Sequence, residues 1–291
     1  MKIIDGKKVS NEVLDEIKLA VENRKKLKLK IPHLAAVLVG DDGPSQTYVN
    51  SKIRACDRVG FESSLFQFDK SITENELIFE IEKINVNDDI DGFIVQLPLP
   101  KGINQENILN KVLPKKDVDG FNPINYGKMA LGIETFLPAT PAGIIELIKR
   151  YNIDLKGKKC LVIGRSQIVG RPISILLSQN KIFGNATVTV AHSRSNNLKE
   201  ICLDSDMIIS AIGIPEFIKE DMIRPGSIII DVGICRVKDD KSLKGYRIVG
   251  DVDFESVYDK VSLITPVPGG VGPMTISMLL KNTLRASSLN D

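Results

Sequence analysis

The sequence predicts an α/β protein of two domains, the second a doubly wound sheet of the dinucleotide-binding kind. Three observations carry this. Apolar runs of strand length alternate with helical stripes, the alternation restarts near residue 138, and a glycine-rich loop, Gly164-Arg-Ser166-Gln-Ile-Val-Gly170, follows the first strand of the restarted series. With 291 residues, 43% of them hydrophobic, the chain can bury the cores that two domains need.

The elements follow in chain order. Val9, Val13, Ile17 and Val21 recur every fourth residue and form one apolar stripe on a helix, which ends in the basic run Arg24 to Lys30. Those lysines read as a solvated face. Leu34 to Gly40 suits a buried strand, and Asp41-Asp-Gly-Pro44 breaks it before a helix carrying Tyr48 and Lys52, four residues apart on one face. Thr73-Glu-Asn-Glu76 has the spacing of a capping box, with Leu77, Ile81 and Ile84 inward on the helix it opens. The strand Gly92 to Gln96 runs into a stiff Leu97-Pro-Leu-Pro100 tail, leaving Gln96 at a carboxyl strand end, where open α/β sheets place their functional loops.

In the second series, the Thr140 hydroxyl is expected to cap a helix 141–151 that has Pro141 at its first position and links the domains. Strands are predicted at 158–163, 186–191, 206–210, 227–232, 247–250 and 262–264, with helices between most of them. Met274 to Leu284 is an apolar helix after a glycine-proline loop and is expected to return to the first domain. The expected division is therefore 1–138, with a terminal helix 273–286 packing back on it, and 139–272 for the dinucleotide-binding domain.

Composition excludes several classes. The 39 basic and 37 acidic residues are mixed along the chain, so the net charge of +2 offers no field for nucleic acid or an anionic membrane, and a small-molecule partner is favoured. No run approaches the ~20 apolar residues that span a bilayer, and the first residues lack an apolar leader, so a cytoplasmic protein is expected. Cys56, Cys160, Cys202 and Cys235 are scattered and only His33 and His192 are present, which gives no zinc pattern. No metal is expected, and the thiols read as reduced and mostly buried.

Five segments carry chemistry. The Gly164 to Gly170 loop can turn sharply and present amides and a helix N-terminus to a pyrophosphate, although Ser166 stands where the usual fingerprint has its second glycine. The second strand of the series ends at His192-Ser193-Arg194, with no acid to take a ribose hydroxyl; Arg165, Ser193 and Arg194 suit a 2′-phosphate, so NADP is predicted over NAD. Lys52 is the acid/base candidate. Its ordinary pKa of about 10.4 must be lowered by burial or a neighbour, and Gln96 can orient it; the alternative is an exposed lysine beside a half-buried tyrosine. In Lys116-Asp117-Val-Asp119-Gly120, at least one carboxylate can grip the paired N–H donors of a substrate, or the segment is an Asp-rich turn. Finally, Thr265-Pro-Val-Pro268-Gly269-Gly270-Val-Gly272-Pro-Met-Thr275 fixes a backbone that can approach a ligand closely.

Taken in order, Tyr48-x-x-x-Lys52, Val95-Gln96-Leu-Pro-Leu-Pro100, Lys116-Asp-Val-Asp119-Gly120-Phe, Pro138-Ala-Thr-Pro-Ala-Gly143, Gly164-Arg-Ser166-x-x-Val-Gly170-x-Pro172, Gly250-Asp-Val-Asp-Phe and Pro266 to Thr275 closely resemble bifunctional methylenetetrahydrofolate dehydrogenase/methenyltetrahydrofolate cyclohydrolase over nearly the whole chain. One departure is Ala139, where the family commonly has cysteine, which argues against a thiol mechanism. The resemblance implies oxidation of 5,10-methylenetetrahydrofolate by NADP and hydrolysis of the methenyl product to 10-formyltetrahydrofolate, in a cleft between the two domains. It assigns Lys52 the main role in hydrolysis, with Gln96 tuning it, Tyr48 packing on the folate and Asp119 anchoring the pterin. Pro268, Gly269, Gly270 and Thr275 fall to folate contact. Gly164, Arg165, Ser166, Gly170, Ser193, Arg194 and Ile234 fall to the cofactor, and a homodimer is expected.

Three rivals stand. Short-chain dehydrogenases also use Tyr-x-x-x-Lys, but their nucleotide loop precedes the pair, the reverse of the order here. A monofunctional folate dehydrogenase has no need to keep Lys52 with Gln96. A non-catalytic dinucleotide-binding regulator has no need for the upstream set at all.

Overall fold

The computed structural model describes residues 2–242 and 245–289. It divides into two compact units, Asn11–Ala139 with Ile276–Asp291, and Met1–Ser10 with Thr140–Thr275. The elements in order are α1 (Gly6–Lys26), β1 (His33–Val39), α2 (Gly43–Val59), β2 (Glu62–Phe68), α3 (Glu74–Val86), β3 (Gly92–Val95), α4 (Gln105–Lys111), α5 (Pro123–Ala130), α6 (Ala139–Arg150), β4 (Lys159–Ile163), α7 (Gly170–Ser178), β5 (Thr187–Ala191), α8 (Leu198–Leu203), β6 (Met207–Ser210), β7 (Ile228–Asp231), β8 (Cys235–Lys238), β9 (Tyr246–Val249), α9 (Phe254–Val257), β10 (Leu263–Ile264) and α10 (Val271–Ser288). Both main sheets are parallel, as the α/β pattern requires.

In the first unit the sheet order is β2-β1-β3. The central strand β1 is buried from Leu34 onward because helices and neighbours cover it on every side. Asp42 opens α2 by accepting from the Ser45 amide, Pro44 sits in its first turn, and Gly60 closes it in the left-handed region at φ 80°. The capping box of α3 forms as its spacing predicts: Thr73 Oγ1 accepts from Glu76 N at 3.3 Å and Glu76 Oε2 accepts from Thr73 N at 2.8 Å. Leu77, Ile81 and Ile84 join Val37, Phe93 and Ile108 in the core. Arg24 differs from the exposed lysines 25, 26 and 28 that follow it in the run. It is buried, donating from Nε to Lys30 O at 2.9 Å and from Nη2 to Ser287 Oγ at 2.9 Å near the end of α10.

In the second unit the order is β10-β7-β6-β4-β5, all parallel. Two expectations need correction. The strand expected at 247–250 lies outside this sheet, as β9 paired antiparallel with β8 in a hairpin; its outward side chains alternate with half-buried ones, the pattern of a ribbon rather than of a covered parallel strand. Thr140 does not cap. The helix begins one residue before it, and its hydroxyl meets Thr275 Oγ1 at 2.9 Å instead.

Candidate active site

Three segments of the first unit converge at the carboxyl end of its sheet. Gln96 follows β3 directly, its amide donating to Val37 O at 2.9 Å. The segment ending at Asp119 runs beside β3 because Phe93 N donates to Lys116 O at 2.9 Å and Gly92 leaves room for Val118, whose Cγ1 would lie 2.2 Å from a Cβ there. Lys52 reaches in from α2. Its Nζ donates to Gln96 Oε1 at 3.1 Å, and Gln96 Nε2 donates to Leu97 O at 2.7 Å, which locks the amide with its oxygen toward the lysine.

The alternative of an exposed lysine beside a half-buried tyrosine is reversed. Lys52 is 9% exposed and Tyr48 is 44% exposed. Burial pulls the Lys52 pKa below that of an ordinary lysine, and the negative charge of Asp119 opposes the shift without overcoming it. Asp119 is pushed up by the same burial, with the lysine opposing. The environment thus makes the uncharged amine easier to reach than in an exposed lysine.

The two carboxylates of the turn have separate work. Asp117 accepts from Phe121 N, Asn122 N and Asn125 Nδ2, so it is the turn's internal brace. Asp119 is partly buried beside the lysine. Gly120 holds φ 76°, and a Cβ there would stand 2.5 Å from Pro138 N, so this bend requires glycine. Lys116, which the sequence left unassigned, is buried and donates to Ile84 O and Asn87 O at the end of α3.

In the second unit Gly164 and Gly170 face each other. A Cβ on Gly164 would stand 2.4 Å from Ala211 O, and one on Gly170 would stand 2.2 Å from Gly164 O. Bare backbone is what lets β4 turn into α7 here. Ser166 braces the turn, since its Oγ accepts from Val169 N and Gly170 N and its carbonyl accepts from Arg171 N. These three amides serve the turn, and residues 165–168 are exposed. Gly164 N donates to Ala191 O at 2.8 Å, which sets the ends of β4 and β5 side by side, with Arg165, Ser193 and Arg194 exposed just beyond them. Ile234 is half exposed beside Gly272, 3.5 Å from where a Cβ would lie.

The loop 265–272 belongs to this unit. Pro268 is exposed, Gly269 takes φ 110°, and Gly270 is buried where a Cβ would lie 2.5 Å from Pro266 O. A separate cavity of ≈ 250 Å³ is lined by Asp231, Arg247, Gly250, Phe254, Pro266 and Val267 among others; it touches two of the motifs but holds none of the residues assigned to catalysis, folate or cofactor. Burial raises the thiols of Cys56 and Cys160 to about 12 and of Cys202 to about 11, which makes them inert.

Comparison with known proteins agrees over both units. The family model described as tetrahydrofolate dehydrogenase/cyclohydrolase, catalytic domain, matches residues 4–119, and the corresponding NAD(P)-binding domain model matches residues 138–291. The chain is 59% identical over 286 residues to the bifunctional protein FolD of Christiangramia forsetii, covering 98% of this chain and 96% of that protein. Among solved structures, it is similar to the bifunctional methylenetetrahydrofolate dehydrogenase/cyclohydrolase of Campylobacter jejuni, with 44% identity, a TM-score of 0.92 and 99% of each chain covered. It also resembles the Trypanosoma brucei dehydrogenase-cyclohydrolase solved with NADP and an inhibitor, with 35% identity, a TM-score of 0.93 and coverage of 99% of this chain and 97% of that one.

Proposed function

The chain belongs to the tetrahydrofolate dehydrogenase/cyclohydrolase family, and from that premise we propose how its residues divide the two reactions between them. The enzyme oxidises 5,10-methylenetetrahydrofolate to the methenyl cation with NADP and hydrolyses that cation to 10-formyltetrahydrofolate. The observation that carries the assignment is the buried Lys52 donating to Gln96 beside Asp119.

In the hydrolysis, water attacks the methenyl carbon while the neutral Lys52 amine takes one of its protons; the ring C–N bond then breaks to leave the formyl group, with a net release of one proton. A permanently charged lysine would repel the cationic substrate and could accept nothing, which is why burial matters here. Gln96 presents its oxygen to Lys52 and aims the amine. Asp119 offers two oxygens to the paired N–H groups of the pterin, and the exposed Tyr48 ring packs on the folate. Pro268, Gly269, Gly270 and Thr275 complete the folate contacts.

The second unit fits a dinucleotide, because Gly164 and Gly170 allow the tight turn from β4 into α7, whose residues 165–168 are exposed ahead of the helix N-terminus. When bound, NADP supplies the hydride acceptor. The loop 165–168 meets the pyrophosphate, Arg165, Ser193 and Arg194 take the 2′-phosphate, and Ile234 borders the cofactor. For hydride transfer these residues contribute orientation, since the step needs no acid. We assign 1–138 with the terminal helix to folate chemistry and 139–272 to the cofactor, and place the protein in the cytoplasm as a homodimer that binds no nucleic acid.

The test is a spectrophotometric assay that follows NADPH formation and methenyl decay separately, with NAD as the comparison. Lys52→Ala is expected to abolish hydrolysis, and Asp119→Ala to weaken folate binding and both activities. Full cyclohydrolase turnover in the lysine variant, or a preference for NAD, overturns the corresponding assignment.

A further inference from the structure

Two buried carboxylates of the second unit have no part in the reactions above. Asp251 has no exposed surface and Asp231 is 3% exposed. Burying such groups is costly unless their oxygens are supplied with donors, and both are. Asp251 Oδ2 accepts from Ser210 Oγ at 3.1 Å and Ile212 N at 2.8 Å, and its Oδ1 accepts from Ile214 N at 3.0 Å. Asp231 accepts from Gly233 N, Asp251 N and Val252 N at 2.9 to 3.0 Å, so it holds Asp251 by the backbone. Glycines seal the pair: a Cβ on Gly233 would lie 2.3 Å from Asp251 Oδ1, and one on Gly250 would lie 1.9 Å from Asp231 Oδ2.

The place of this cluster gives it meaning. In the order β5-β4-β6-β7-β10 the chain leaves β4 toward β5 and later returns to its other side at β6, so the switch point lies between β4 and β6. Nucleotides bind at the carboxyl ends of the strands at that point. Its two walls are the Gly164 loop after β4 and residues 211–214 after β6, which touch where Ala211 O faces Gly164. The second wall has no regular structure, and Gly213 takes φ 68°. Its amides at 212 and 214 both end on one carboxylate.

We propose that Asp251 is a positioning residue for the dinucleotide, its carboxylate fixing the 211–214 wall of the cofactor crevice while Asp231 holds it in place. This rests on the dinucleotide reading of the unit. Cyclohydrolysis of added methenyltetrahydrofolate consumes no nucleotide, so the two activities should part company when the wall loosens. Asp251→Asn keeps the shape but turns an NH2 group toward at least one of the donors that now bind an oxygen.

The full-length Asp251→Asn protein is expected to show an NADP KM raised about tenfold, the scale of one charge-assisted hydrogen bond, with cyclohydrolase turnover at the wild-type level. An unchanged NADP KM overturns the proposal. So does an equal fall in both activities, which would make Asp251 a support of the fold alone. Should that variant not fold, Ser210→Ala decides: it removes one donor that orients the carboxylate and is expected to raise the NADP KM by about threefold, no rise being the overturning result. Failure of the dinucleotide reading would look different, as wild-type protein that forms no NADPH.

Discussion

At the scale of single residues, the proposed role of Lys52 requires its uncharged form, and the group at position 96 bears on how readily that form is reached. A neutral amide oxygen 3.1 Å from Nζ accepts its hydrogen bond without adding a charge. Gln96→Glu is nearly isosteric and puts a carboxylate there. The ammonium form gains a partner and the lysine pKa must rise. Cyclohydrolase rate should grow with pH as the amine deprotonates, so this rising limb moves to higher pH in the variant and turnover at neutrality falls. Rate profiles of the two proteins across the neutral and alkaline range check it, and superimposable limbs would reject the role of Gln96. Both residues could be picked from the sequence because a Tyr/Lys pair at helical spacing and a polar residue at a strand end are local patterns. That the lysine is the buried member and the tyrosine the exposed one was not legible, since it depends on what covers α2.

At the scale of elements, the Lys116 to Gly120 segment shows how one tight turn serves two ends. Lys116 and Val118 pack toward α3 and β3 while Asp119 stays beside Lys52. Asp117 braces the turn, and burial pushes its pKa up to about 6. Between pH about 4 and 6 the folded chain therefore holds a proton that the unfolded chain releases, and stability falls as pH rises through that window. Integrated, the effect is on the order of 3 kcal/mol. Asp117→Asn loses at least one acceptor and is less stable at every pH, but it has no such slope. Its deficit relative to wild type should shrink as the pH is raised from about 4 to about 7, which chemical denaturation at both values measures; a constant deficit would refute the shift. The local pattern marked Asp117 and Asp119 without separating them and only the resemblance pointed to Asp119, because their structural difference lies in partners at 121, 122 and 125. The edge strand β2 and the β8–β9 hairpin were harder to see. β2 is half exposed at its sheet's edge, β8 and β9 are short as well as half exposed, and the apolar residues of all three match no buried run. Asp251 left one trace, an acid set among the apolar residues after β9, but the donors that give it a task come from forty positions earlier.

At the scale of the whole molecule, the last helix from Ile276 onward belongs to the unit that residues 11–139 build, and Asn282 shows what that return accomplishes. Its Nδ2 donates to Val118 O at 2.8 Å and to Leu137 O at 3.0 Å, across separations of 164 and 145 residues. These two carbonyls flank the bend at Gly120, whose Cα lies so near Leu137 and Pro138 that no side chain fits between them. The position of Asp119 thus depends on a residue near the carboxyl terminus that no local pattern links to it. The apolar stripe of the terminal helix was legible in the sequence, whereas the single amide that clamps the turn was not, since a polar residue in such a helix ordinarily faces water. Asn282→Ala leaves both carbonyls without this donor, at a cost of about 1–3 kcal/mol if they stay buried. We expect a lower unfolding midpoint together with a raised KM for folate in both reactions, because Asp119, proposed above to grip the pterin, is no longer held. The NADP KM should be unchanged, since both hydrogen bonds that the substitution removes belong to the folate unit. Thermal unfolding and steady-state kinetics with each substrate varied in turn will measure these effects; a loss of stability with no change in folate KM would separate the clamp from the site it is argued to hold.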